Sequence, residues 1–201
     1  KDILISSGMS NFTQLDEAIN FLEGFGNNIS LFQCTTMYPT PANKVGLNVL
    51  GQMIERYNRP IGLSDHSGSI YAPLSAVTLG ASLIEVHAVF DKRMFGPDAQ
   101  ASLEINEIKN MVEGIRYINE MQNNPIDKYN NEEFKHMNTI FGKSLALNKD
   151  LETGSIIAFQ DLESKKPANY GISTKNYQQV IGRTLKVQKK AQDFLNEEDL
   201  L

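Results

Sequence analysis

Apolar residues fall in short compact runs separated by longer segments of helical period. Ile3 to Ser6, Ile29 to Cys34, Pro60 to Ser64 and Leu83 to Phe90 are apolar or β-branched and bounded by turn residues, the pattern of buried parallel strands. Between them the period lengthens. Thr13 is placed to cap a helix whose Leu15, Ala18, Ile19 and Leu22 share one face before Gly24 and Gly26 stop it. Val45 to Tyr57 repeats the theme, and Ile70, Leu74, Val77 and Leu79 precede Gly80 in a third such segment. The clearest amphipathic stripe, Ile105, Ile108, Met111, Val112, Ile115 and Ile118, follows the fourth strand. Strand and helix alternate as (βα)4, so the fold class is α/β with a parallel sheet. Four units leave a sheet open. A (β/α)8 barrel takes ~250 residues, and a doubly wound sheet is the other way to cover both faces. Lys1 leads straight into a strand with no initiator Met, so the chain is expected to be a fragment that begins inside a domain.

From Gln122 to Met137 the composition turns to Asn, Asp, Glu, Lys and Tyr, which reads as a linker. The organisation expected is a half-barrel or open sheet over 1–121, a linker over 122–142 and a second domain over 143–201. That last part holds short strand-like pieces, Ser144–Leu147, Ser155–Ala158, Tyr170–Ile172 and Leu185–Val187. A β-rich module this small is marginal alone and is expected to lean on another surface.

Composition narrows the function classes. Hydrophobic residues are 41% and charged residues 21% of the chain, the balance of a globular protein. The formal charge of −5 removes the electrostatic drive toward nucleic acid, so no nucleic-acid partner is expected. No window reaches the ~18–20 apolar residues that span a bilayer, and the start lacks the length and flanks of a signal peptide. The expectation is a cytoplasmic protein without a membrane partner. A single cysteine, Cys34, allows no internal disulfide, and a zinc site built from cysteines is excluded by count.

Chemistry gathers where the strands end. Ser6-Ser7-Gly8-Met9 closes the first, Thr35 to Pro41 the second, Gly62 to Gly68 the third and Glu85-Val86-His87 the fourth. Ligands of α/β sheets sit at the carboxyl ends of parallel strands, so these groups point at one site. His66 and His87 close neighbouring strands ~4.8 Å apart, near enough for both imidazoles to reach one divalent ion. Two imidazoles leave positions for water and substrate oxygens, which favours Mn²⁺ or Mg²⁺ over a closed zinc site. The alternative is that each histidine only hydrogen-bonds within its loop. Ser6, Thr36 and Ser64 are small donors suited to phosphate or carboxylate, though such residues also cap helices. Asp65 either orients an imidazole or caps the next helix. Gly96-Pro97-Asp98 is a turn that delivers an Asp just past the His87 strand, and Tyr38 is held extended by Pro39. Lys92, Arg93 and the linker's His136 read as solvated.

These motifs, in this order and spacing, resemble the sialic acid synthase family: Cys34-Thr35 with Tyr38-Pro39-Thr40-Pro41, Gly62-Leu63-Ser64-Asp65-His66, Leu79 to Ser82, Ile84-Glu85-Val86-His87, and Gly96-Pro97-Asp98 with Ala101 to Glu104. Ser6-Ser7-Gly8-Met9 resembles the family's Ser-Thr-Gly-Met segment, and Lys143 to Leu200 its C-terminal antifreeze-like (SAF, β-clip) domain. The resemblance implies the C-terminal half of a TIM (β/α)8 barrel followed by that domain. It implies condensation of phosphoenolpyruvate with N-acetylmannosamine or a related hexosamine to a nine-carbon 2-keto sugar acid and phosphate, with Mn²⁺ or Mg²⁺, in a domain-swapped homodimer. By the same resemblance His66 and His87 are metal ligands, and they act in catalysis with Asp98. Ser6, Thr36 and Ser64 bind phosphoenolpyruvate, Tyr38 and Asp98 line the sugar pocket, and Lys166 reaches the partner subunit's sugar site.

Four positions depart from the family pattern. Thr36 stands for Asn, Gln33 for His, Ala88 for Phe and Lys166 for Arg. Lysine lacks the planar fork with which arginine grips a carbonyl or carboxylate. A legionaminic- or pseudaminic-type substrate therefore competes with N-acetylmannosamine, and a catalytically decayed carbohydrate-binding homologue is the alternative reading. A Schiff-base aldolase is disfavoured, because no lysine stands at the four strand ends.

Overall fold

The computed structural model describes residues 1–130 and 132–201. The chain divides into two compact units, Lys1–Pro125 and Ile126–Leu201.

In the first unit β1 (Ile3–Ser6), β2 (Ile29–Cys34), β3 (Ile61–Asp65), β4 (Leu83–Val89) and β5 (Ser102–Glu104) form one sheet in the order β1-β2-β3-β4-β5. Every neighbouring pair is parallel. The helices are α1 (Phe12–Glu23), α2 (Leu47–Arg56), α3 (Tyr71–Thr78) and α4 (Ile105–Asn123). Strand order equals chain order, so the sheet has no reversal point of the kind that defines a doubly wound fold.

The core settles the same question. Ile19 of α1, Leu50 and Met53 of α2 and Ala76 of α3 share one buried cluster with Leu31, Ile61 and Leu63 of the strands. All three helices thus lie on one face. Side chains alternate along a strand, so the other face carries Leu4, Ser6, Phe32, Cys34, Gly62, Ser64, Glu85 and His87. A sheet helical on one face and bare on the other is a barrel segment seen from the inside. Gly62 is small for a local reason. A Cβ there would stand 2.5 Å from the Leu83 carbonyl oxygen and 2.6 Å from the Phe32 ring.

Some expectations shift. Asn11, not Thr13, caps α1, because its side chain accepts the Gln14 amide while the Gln14 side chain accepts the Asn11 amide, a reciprocal capping box. β5 was not expected, since three residues carry too little pattern to read. Its strand character comes from pairing with His87, Ala88 and Val89.

The second unit pairs β6 (Ser144–Leu147) with β7 (Leu162–Lys165) antiparallel around a core of Leu145, Leu147, Ile157, Val180, Leu185 and Leu195. The pieces expected as strands at Ser155–Ala158, Tyr170–Ile172 and Leu185–Val187 form no ladder. Ile156, Leu185 and Ser173 enter only isolated bridges. The stretch read as a linker is partly helical: α4 runs through Asn123, and α5 occupies Lys135–Phe141 with His136 exposed on it.

Candidate active site

Where the strands of the first unit end, three rings meet. The His66 and His87 ring centroids are 5.1 Å apart with planes at 73°, and the Tyr38 ring lies 4.2 Å from His66 and 5.8 Å from His87. The two imidazoles therefore converge. His66 is buried, and its Nδ1 lies 3.1 Å from the Thr35 carbonyl oxygen. A carbonyl only accepts, so Nδ1 donates here, which leaves Nε2 as the ring nitrogen open to a ligand. His87 is half-buried, with Nδ1 3.8 Å from an Asp98 carboxylate oxygen, a charge-pair distance rather than a direct hydrogen bond. Among the described residues no group of three or more His, Cys, Asp or Glu gathers as a metal cluster. Among the described residues, then, two imidazoles alone would face such an ion, and a site of that kind would be open and completed by oxygen.

Below the imidazoles the cross-strand row Cys34, Ser64 and Glu85 runs across β2, β3 and β4. Ser64 Oγ donates to a Glu85 carboxylate oxygen at 2.6 Å. The Ser64 proton is thus spent on Glu85, and the hydroxyl offers it to an anion only after turning away. Cys34 is buried, and loss of water pushes its thiol above the ordinary value, so it is no thiolate nucleophile at neutral pH. Partial loss of water, then the Cys34, Asp98 and Glu85 groups, raise the Tyr38 phenol, which stays a neutral donor.

Ser6 and Thr36 are exposed at the ends of β1 and β2, and the Thr36 hydroxyl faces Gly8, where a Cβ would meet it at 3.5 Å. Asp98 borders a cavity of about 360 Å³ that His87, Phe90, Met94, Pro97 and Ser102 also line. Lys166 belongs to the second unit, where its ammonium sits 4.9 Å from the Phe141 ring centroid. Asp65 does not touch the His66 ring by a hydrogen bond. Instead it accepts the Ser67 hydroxyl at 2.7 Å, and burial raises its carboxyl above the usual value. It braces the turn after β3.

Glu85 and Lys92 were missed in the sequence. Glu85 was visible in principle, because it stands two residues before His87 on the same strand face. Lys92, read as a solvent charge, has its ammonium 3.0 Å from the Gly68 carbonyl and 2.8 Å from Glu107. Arg93 is exposed and paired with Asp91.

Residues 1–127 match the NeuB family and residues 142–201 match the SAF domain. The chain belongs to the NeuB family. It is 38% identical over 200 residues to the N,N'-diacetyllegionaminic acid synthase of Campylobacter jejuni, covering 98% of this chain and 59% of that protein. A pseudaminic acid synthase of the same species is 30% identical over 99% of this chain and 57% of its own length. Among solved structures, the N-acetylneuraminic acid (sialic acid) synthetase of Leptospira borgpetersenii matches with a TM-score of 0.62 and 26% identity over 69% of this chain and 50% of its own. The chain thus spans about three fifths of the length of the curated relatives it matches. This NeuB-family chain has the parallel α/β sheet and the SAF domain that the resemblance implied, and among its described residues no helix is long and apolar enough to cross a membrane.

Proposed function

We propose that the protein is a nonulosonic acid synthase, joining phosphoenolpyruvate to an N-acylated hexosamine to give a nine-carbon 2-keto sugar acid and phosphate. The observation that carries this is the meeting of His66 and His87, with Tyr38 against both rings and Asp98 beside one. Membership of the NeuB family and the printed activities of its relatives support the reaction class.

His66 and His87 fit a divalent cation, Mn²⁺ or Mg²⁺, through two ring nitrogens, and such an ion when bound polarises the open-chain aldehyde of the sugar. The rest falls to the chain's own groups. Thr35 fixes the tautomer of His66. Ser6, Thr36 and Ser64 form the hydroxyl rim of the phosphoenolpyruvate subsite, with Ser64 held in reserve by Glu85. Tyr38, Asp98 and Glu85 face the sugar, where carboxylates accept hydroxyl protons and the phenol donates. In the reaction C3 of phosphoenolpyruvate bonds to the aldehyde carbon, which takes up a proton on its oxygen. Water adds at C2, and the C–O bond to phosphate breaks. Lys92 is spent on Glu107 and Arg93 on Asp91, so neither is offered to the phosphate. Lys166 acts on the sugar of a second copy in a domain-swapped homodimer.

A phosphate-release assay on the complete natural protein, with phosphoenolpyruvate, Mn²⁺ and a panel of N-acetylmannosamine and diacetamido sugars, tests the reading. Phosphate and a 2-keto acid should appear in equal amounts with at least one sugar. Binding of the sugars without any phosphate release would replace the synthase with a carbohydrate-binding homologue.

A further inference from the structure

We infer that Lys92 is a positioning residue for this site: its ammonium clamps the turn after β3 to the β4–β5 loop, and so sets how Asp98 stands against the imidazoles. This rests on the reading above that the strand ends form the catalytic centre.

The clamp is built from both directions. Lys92 Nζ donates to the Gly68 carbonyl at 3.0 Å and pairs with Glu107 of α4 at 2.8 Å. The Lys92 amide donates to a Glu104 carboxylate oxygen at 3.0 Å, and the Gln100 side chain donates to the Lys92 carbonyl at 3.1 Å. Gly68 lies two residues after His66, and Gln100 two residues after Asp98. The two loops touch there. Gly68 has φ +67°, and a Cβ on it would stand 2.4 Å from the Gln100 carbonyl oxygen. Asp98 in turn is tied down by its carbonyl, which accepts the Ser102 hydroxyl at 2.7 Å.

Glu107 is itself fixed, since its carboxylate accepts the Glu104 amide at 2.8 Å in the capping box of α4. The Lys92 hydrogen bond, then that amide, hold its carboxyl below the usual value. Lys92 thus joins a helix terminus, the loop bearing Asp98 and the turn bearing His66, while its ammonium points at protein acceptors. A cation spent this way orders loops and leaves the phosphate to others. A displacement of about 1 Å at a reacting group is enough to cost ~100-fold in rate, so loop placement is a catalytic matter.

The test is the kinetics of Lys92→Met and Lys92→Arg in the complete natural protein, with Glu107→Gln as a second way to weaken the clamp. Hydrogen exchange of the peptides spanning Gly68–Tyr71 and Lys92–Ala101 is followed alongside. Lys92→Met should raise the KM of the amino sugar at least fivefold and leave that of phosphoenolpyruvate within twofold. Exchange should quicken in those two segments and not in α1. Lys92→Arg should recover most of both, and Glu107→Gln should shift them the same way by less. Unchanged KM values, with or without a lower kcat, would reduce Lys92 to a stabilising surface charge. A rise in the phosphoenolpyruvate KM alone would make it a phosphate ligand, and either result overturns the inference. If the wild type releases no phosphate with any sugar, the synthase reading fails, and the exchange data still decide whether the clamp exists.

Discussion

Two residues apart on one strand, Glu85 and His87 look into the same space, and what each does depends on what its neighbours have already taken. Glu85 holds the Ser64 hydroxyl, while the Thr35 carbonyl occupies Nδ1 of His66 and leaves its other ring nitrogen for a ligand. Replacing Glu85 by Gln keeps an acceptor oxygen for Ser64 and removes the charge. A hydrogen bond to a charged group contributes about 1.5–3 kcal/mol, so a role in gripping the sugar predicts a KM for the sugar raised tenfold or more with the fold retained. An unchanged KM would leave Glu85 only a partner of Ser64. Gly62 gives a prediction of a different kind. Gly62→Ala places a methyl against Leu83 and Phe32, and overpacking of this sort costs about 1–3 kcal/mol. Urea unfolding should show a lower midpoint, and an unaltered one would mean the Phe32 ring moves aside freely.

The elements show what in this chain could be read and what could not. β1 and β2 stand where their apolar runs put them: β2 is buried almost throughout, which leaves a continuous signal, while β1 is exposed at alternate residues. The cap of α1 was misplaced at Thr13, although Asn11 and Gln14 carry the spacing of a capping box that would have found it. Asn11→Ala should lower stability by about 1 kcal/mol, measurable as a shift in the denaturation midpoint. β5 and Lys92 were not legible for one reason: their structure is made by partners distant in the chain, β4 for the one and Gly68 and Glu107 for the other. In the second unit most strand-like pieces end in single bridges, because short apolar stretches there bury themselves without room for a ladder. Its buried Asp161 has a carboxyl lowered by the Lys149 hydrogen bond and then by the Ala158 amide. A lowered folded-state pKa stabilises above the ordinary carboxylate value and loses that contribution as pH falls through the folded one. Asp161→Asn should therefore be less stable than wild type at pH 7, with the gap closing below about pH 4. A gap that stays constant with pH would remove the ion pair from the account.

At the scale of the molecule, one face of the sheet is packed by helices and the other collects hydroxyls, carboxylates and imidazoles at its C-terminal ends. The position of the two imidazoles was readable because strand order follows chain order, whereas the proposed role of Lys166 in a second copy calls for an assay on two chains. Complementation addresses it. If Lys166 serves the partner's site, mixing His87→Ala with Lys166→Ala protein gives half mixed dimers, each with one intact site, and returns about a quarter of wild-type activity. No recovery would confine each site to its own chain. The most direct test of the whole account remains the histidine pair. Manganese binding measured by the electron paramagnetic resonance of free Mn²⁺, with phosphate release in the same samples, should show His66→Ala and His87→Ala each weakening the ion at least tenfold and stopping turnover in a folded protein. Wild-type affinity and turnover in both variants would contradict it.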